Sequence, residues 1–94
     1  MEIFDFIFLE NITEKLARKH RVQPQEVLEV FYGLPIIRFI EKGNRESENV
    51  YAAYGQTDAG RYLTVFFIYK QDKNALILSA RDMSNAERRK YRNN

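Results

Sequence analysis

The chain has no cysteine and no tryptophan, a single histidine, two prolines and four glycines. Each shortage removes a class of function. Without cysteine there is no disulfide scaffold, thiolate zinc site, iron–sulfur cluster or cysteine nucleophile, and the composition suits a reducing compartment. With one histidine, a metal would have to be held almost wholly by carboxylates, and neither metal nor cofactor is expected. The glycines are scattered at turn positions, so the chain has no phosphate-cradling loop, dinucleotide fingerprint or nucleophile elbow, and it has no HExxH pair. The longest apolar run, residues 65–69, falls far short of the roughly 20 residues a bilayer span needs. The acidic start, Met1-Glu2-Ile3-Phe4-Asp5, lacks the basic region of a signal peptide, and a cytoplasmic location is expected.

What is present is a balance of 45% hydrophobic and 30% charged residues over 94 positions, which fits one globular domain spanning 1–94. Seven Phe and six Tyr supply the bulk of the core. The net charge of +2 is small but segregated. Residues 1–14 carry four acids and no base, 15–21 carry four bases, and 81–94 hold five bases against two acids. The basic clusters Lys15/Arg18/Lys19/Arg21 and Arg81/Arg88/Arg89/Lys90/Arg92 would form one polyanion-facing surface if the fold joins them; otherwise they are solvated helix faces.

Hydrophobic periodicity orders the elements. Residues 4–9 read as a short buried strand. Asn11 with Glu14 reads as a capping box opening a helix whose face carries Ile12, Leu16 and His20. A second helix begins near Pro24, carries Val27, Leu28, Val30 and Phe31, and stops at Gly33. Strands follow over 36–41, 50–56, 62–69 and 75–80, with a polar loop over 43–49 and a bulged turn at Thr57-Asp58-Ala59-Gly60. Ser84 with Glu87 caps a final helix running to about Arg92. The order βααββββα predicts an α+β fold, with two N-terminal helices packed on an antiparallel sheet and a C-terminal helix. That last helix has almost no apolar stripe beyond Ala86 and Tyr91.

The residues left to carry chemistry are cationic. Strand alternation places Arg81 on the same face as Ile77 and Ser79. If the last helix folds back, Arg81, Arg88, Arg89 and Tyr91 converge, with Arg61 joining from the next strand. Guanidinium groups fork onto phosphate oxygens and tyrosines stack on unpaired bases. Arg81 equally suits a salt bridge to Asp82 or Glu87. His20, on the apolar helix face, reads either as a packed or capping imidazole or as a proton-transfer group.

The segments Gly55-Gln56-Thr57-Asp58-Ala59-Gly60-Arg61-Tyr62-Leu63-Thr64-Val65-Phe66-Phe67, Ile77-Leu78-Ser79-Ala80-Arg81-Asp82-Met83 and Glu87-Arg88-Arg89-Lys90-Tyr91 resemble the C-terminal half of the BrnT toxins. Lys19-His20-Arg21-Val22 with residues 26–31 resembles that family's Lys-His-Gly-Val segment and the helix after it. The resemblance implies a RelE-like fold and a metal-independent ribonuclease that arrests growth. It also implies a ribbon-helix-helix antitoxin, BrnA-like, in a hetero-oligomer with the toxin. Carried over, the matching positions are Lys19, His20, Arg61, Ser79, Arg81, Glu87, Arg88 and Tyr91, and the match does not say which are catalytic. From the chemistry of RNA cleavage the expected catalytic set is Arg81, His20, Glu87 and Tyr91, with Arg81 stabilising the phosphorane and one of the others moving protons. The expected RNA-binding residues are Lys19, Arg61, Arg88 and Arg89. Two departures stand out: the family's opening Trp and Lys are missing from Phe4-Asp5-Phe6-Ile7-Phe8-Leu9, and Arg21 occupies a glycine position, where a positive φ would be strained. A non-catalytic binding module of the same fold is the alternative.

Overall fold

The computed structural model describes residues 1–45 and 48–94, so the expected loop over 43–49 lies partly outside the described residues. The elements run β1 (Asp5–Ile7), α1 (Glu10–Lys15, continued by a wider π-helical turn, Leu16–His20), α2 (Pro24–Tyr32), β2 (Ile36–Glu41), β3 (Val50–Gln56), β4 (Tyr62–Tyr69), β5 (Asn74–Asp82) and α3 (Asn85–Arg92). The sheet order is β1-β5-β4-β3-β2. β2 to β5 form an antiparallel meander, but β1 pairs with β5 in parallel, so the sheet is mixed where a purely antiparallel one was expected. The reason is the crossover: α1 and α2 carry the chain over one face from the β1 edge to the β2 edge.

Under those helices lies the core. Leu63, Val65 and Phe67 of β4 are fully buried and meet Leu16, Val22, Val27 and Val30. Phe67 packs edge-on against Phe31 at 5.2 Å and stacks on Tyr51 at 5.9 Å. Gly55 lets α2 approach β3, because a Cβ there would sit 3.0 Å from Val30 Cγ1. Gly60 takes φ +90° in the β3–β4 turn, as its position in the bulged turn requires.

Two local expectations are corrected. α1 starts at Glu10 with Leu9 at its N-cap and no side-chain cap, so the box read at Asn11 and Glu14 does not form; Glu10 instead places its charge against the helix dipole in the first turn. α2 stops at Gly33 as expected, with φ −87°, and Leu34 takes the left-handed turn. In β5 the register slips between Phe66↔Ser79 and Phe67↔Ile77, leaving Leu78 as an extra residue. The bulge turns Ile77 into the core and Ser79 and Arg81 to the opposite face, which simple alternation could not foresee.

The wide last turn of α1 ends at Arg21, which adopts the left-handed conformation at φ 53°, ψ 41°. The Val22 N–H donates to the Leu16 carbonyl at 3.1 Å and closes the end. A non-glycine side chain costs about 1 kcal/mol or more there. Arg21→Gly is therefore expected to raise stability by up to about 1 kcal/mol, read as an upward shift of several degrees in the thermal midpoint.

Candidate functional site

β5 leaves the sheet at Arg81 and Asp82, and Ser84 then caps α3. The Ser84 Oγ accepts from Glu87 N at 3.1 Å, while the Glu87 carboxylate accepts from Ser84 N at 2.9 Å. The same carboxylate takes the Arg81 guanidinium end-on, Nη1 to Oε1 at 2.7 Å and Nη2 to Oε2 at 2.9 Å, and the hydroxyl of the buried Thr64 at 3.1 Å. α3 has no buried residue, so this knot holds it, together with Arg88 over the Tyr62 ring at 4.1 Å and Tyr91 edge-on to Tyr62 at 5.9 Å.

Four donors meet the Glu87 carboxylate, three of them at Oε1 and one at Oε2, so Oε1 is crowded while Oε2 keeps one acceptor position. The Arg81 hydrogen bond, first among the causes, pulls its pKa from 4.5 to about 2, against the opposing effect of burial. A depressed carboxyl pKa contributes stability that is complete above the unfolded value and lost as pH falls through the folded one. The protein is therefore expected to lose at most about 3 kcal/mol between pH 4.5 and pH 2 from this residue. The Glu87→Gln variant should show a flatter acid limb in a series of thermal melts, together with a lower midpoint at neutral pH.

Arg81 keeps an open side. Its Nη1 also donates to the Asp82 carbonyl at 3.1 Å, and its plane lies 5.3 Å from the Phe66 ring centroid. Its Nε–H and second Nη2–H have no partner among the described residues. These two donors form one edge of the guanidinium, the geometry that forks onto a phosphate.

Beside the knot is a cavity of about 200 Å³ between α3 and the β2–β3 edge, lined by Ile36, Arg38, Tyr54, Ala86, Glu87, Lys90, Tyr91 and Asn94. Burial, first, and Glu87, second, push the Tyr54 phenol up from its ordinary 10.0, against Arg81 and Arg38, so it is a proton donor at neutral pH. Arg38, Arg88, Arg89, Lys90 and Arg92 form no ion pair among the described residues. The face opposite α1 and α2 is thus strongly basic.

The structure gathers only part of the expected set. Arg81, Glu87, Arg88 and Tyr91 meet around Thr64 and Tyr62, and Arg89 lies on the exposed outer side of α3. Arg61, expected to converge with Arg81, lies on the helix-covered face. Its Nε donates to Asp82 Oδ1 at 2.8 Å, Nη1 to the Arg21 carbonyl at 2.8 Å and to Glu26 Oε2 at 3.2 Å, and Nη2 to the His20 carbonyl at 2.8 Å. Two carboxylates neutralise it, and their hydrogen bonds, Asp82 first, hold its pKa above the ordinary value. His20 ends α1 and gives its carbonyl to Arg61, while its imidazole makes no hydrogen bond to Arg81 among the described residues. The link between the faces is Asp82, whose carboxylate takes Arg61 and whose carbonyl takes Arg81.

Sequence reasoning passed over Arg38 and Tyr54, and had Lys90 only as a member of the C-terminal basic cluster. Alternation held the signal for two of them: Ala53 and Gly55 are small because α2 lies over them, which turns Tyr54 outward, and Ile37 and Phe39 flank Arg38 in the same way.

Residues 10–87 match the family described as the ribonuclease toxin BrnT of type II toxin–antitoxin systems. The chain belongs to the BrnT family. No curated protein matches it. Membership implies a ribonuclease toxin of a toxin–antitoxin system, and with it an antitoxin partner and an RNA target. The matched span of this BrnT-family chain includes His20, Arg61 and Arg81 and closes on Glu87, so the helix cap and its arginine lie inside it, while the basic run 88–92 lies beyond. Among the described residues no cluster of three or more His, Asp or Glu side chains could hold a metal ion. Among the described residues no helix is long and apolar enough to cross a membrane.

Proposed function

We propose that this BrnT-family chain is a metal-independent endoribonuclease of RelE-like fold and βααββββα order that arrests growth. In this reading it works in the cytoplasm and is restrained by a BrnA-like ribbon-helix-helix antitoxin. The observation that carries the reading is the open edge of Arg81 on a face whose neighbouring cations are unpaired. RNA cleavage without metal requires a base for the 2′-hydroxyl, positive groups for the phosphorane and a donor for the leaving oxygen. Arg81 supplies the second through Nε and Nη2. Arg88, Arg89, Lys90 and Arg38 grip flanking phosphates. Tyr91 and Tyr54 are the phenols placed to protonate the leaving oxygen, and the 2′-hydroxyl proton passes to a non-bridging oxygen of the attacked phosphate, from which the phenolate is reprotonated as the cyclic phosphate forms. Glu87, held near pKa 2 by its Arg81 pair, serves as the residue that aims Arg81. His20 and Lys19 support the fold's other face in this reading, and Arg61 clamps it.

The low pKa of Glu87, which makes it a poor base, also favours a second reading, in which the same surface binds RNA without cutting it. Incubating purified protein with RNA in the presence of chelator separates the two. Both readings give binding that weakens with salt, with a slope of about −3 in log K against log salt for four or five phosphate contacts on a single strand. Shortened RNA establishes the nuclease; bound, intact RNA establishes the module.

A further inference from the structure

We infer that the cavity between α3 and the β2–β3 edge receives a single nucleobase of the RNA, and that this base positions the backbone against Arg81. The inference rests on the reading of this face as an RNA surface and adds a subsite to it. The cavity measures about 200 Å³, below the roughly 300 Å³ at which pockets begin to take drug-sized ligands, so it suits one planar heterocycle rather than a peptide or a nucleotide pair. Its walls are of two kinds. Ile36 and Ala86 give an apolar surface and Tyr54 and Tyr91 give aromatic rings, which suit the flat face of any base. Arg38 and Lys90 stand among the lining residues with no ion pair among the described residues, ready for the phosphates on either side of an inserted base.

Electrostatics favour this occupant over an acidic protein segment. Glu87 lines the cavity, but its charge is paired end-on with the Arg81 guanidinium and shared with the Ser84 amide and the Thr64 hydroxyl, so it needs no further cation. The phenol of Tyr54 stays protonated, and neither it nor that of Tyr91 has a hydrogen-bond partner among the described residues. Both hydroxyls are available to donate to or accept from a base edge. The shared wall at Glu87 brings a base in the cavity next to the guanidinium that Glu87 aims.

The test is an NMR titration of the full chain with adenosine and uridine 3′-monophosphates, against ribose 5-phosphate and inorganic phosphate. Two variants fill the cavity, Ile36→Trp on β2 and Ala86→Trp on the exposed side of α3; neither residue belongs to the catalytic or phosphate-gripping set. The expected result is nucleotide binding roughly 5- to 150-fold tighter than ribose 5-phosphate, the value of one stacked base. Amide shifts should centre on residues 36, 54 and 86–91, and both tryptophan variants should remove the preference while phosphate binding remains. Nucleotides that bind no tighter than ribose 5-phosphate would overturn the inference. A preference that survives both variants, or shifts at these amides with antitoxin but not with nucleotides, would also overturn it. Nucleotide binding by a protein that leaves RNA intact keeps the subsite and refutes the nuclease; RNA cleavage with no nucleotide binding does the reverse.

Discussion

Replacing Arg81 by alanine is expected to lower RNA cleavage by roughly two to three orders of magnitude, the usual cost of removing one preorganised donor to developing charge. The fold should persist, because Arg81 lies on the sheet face away from the core and Glu87 retains its bonds from Ser84 and Thr64. Circular dichroism and a thermal melt would show that, while growth on induction and RNA integrity report the activity. The Arg81→Lys variant sharpens the test. Lysine keeps the charge but can neither hold Glu87 end-on nor offer a second edge, so it should recover little of the rate. Toxicity undiminished in a folded Arg81→Ala protein would remove this residue from the chemistry.

The second large effect concerns the opposite face. Arg61→Ala is expected to cost about 2 to 4 kcal/mol, because one guanidinium ties α1, α2 and β5 together and its loss strands Glu26 and two helix-end carbonyls. For a domain of this size the thermal midpoint should fall by more than about 10 °C. Under conditions where the variant is folded, the salt dependence of RNA binding should match that of the parent. A slope smaller by about one unit would instead return Arg61 to the RNA surface. The clamp also accounts for Arg21: the left-handed residue presents its carbonyl to Arg61 Nη1, so the strain at that position is offset by a charged hydrogen bond.

Much of this was legible in the residue order. The alternation of β3 and β4, the turn closing at Gly60, the Ser84/Glu87 cap and the segregation of positive charge at the C-terminus are local signals, readable because each depends on neighbours a few residues away. The parallel entry of β1 was not legible, since strand direction depends on how a crossover crosses a sheet. The slip at Leu78 was not either. A single extra residue there reversed the face of Ile77 relative to Arg81, and no propensity announces it.

The sequence by itself determined that an α+β fold would form, that no thiol could carry its chemistry, and that its last helix would need something other than apolar burial to hold it. Only the tertiary structure decided between two arginines that look alike in the chain. Arg61 faces two carboxylates and two carbonyls that spend its donors, while Arg81 is gripped along one edge and left open along another. The physical reason is that a guanidinium's availability depends on the acceptors around it, and those come from elements distant in sequence.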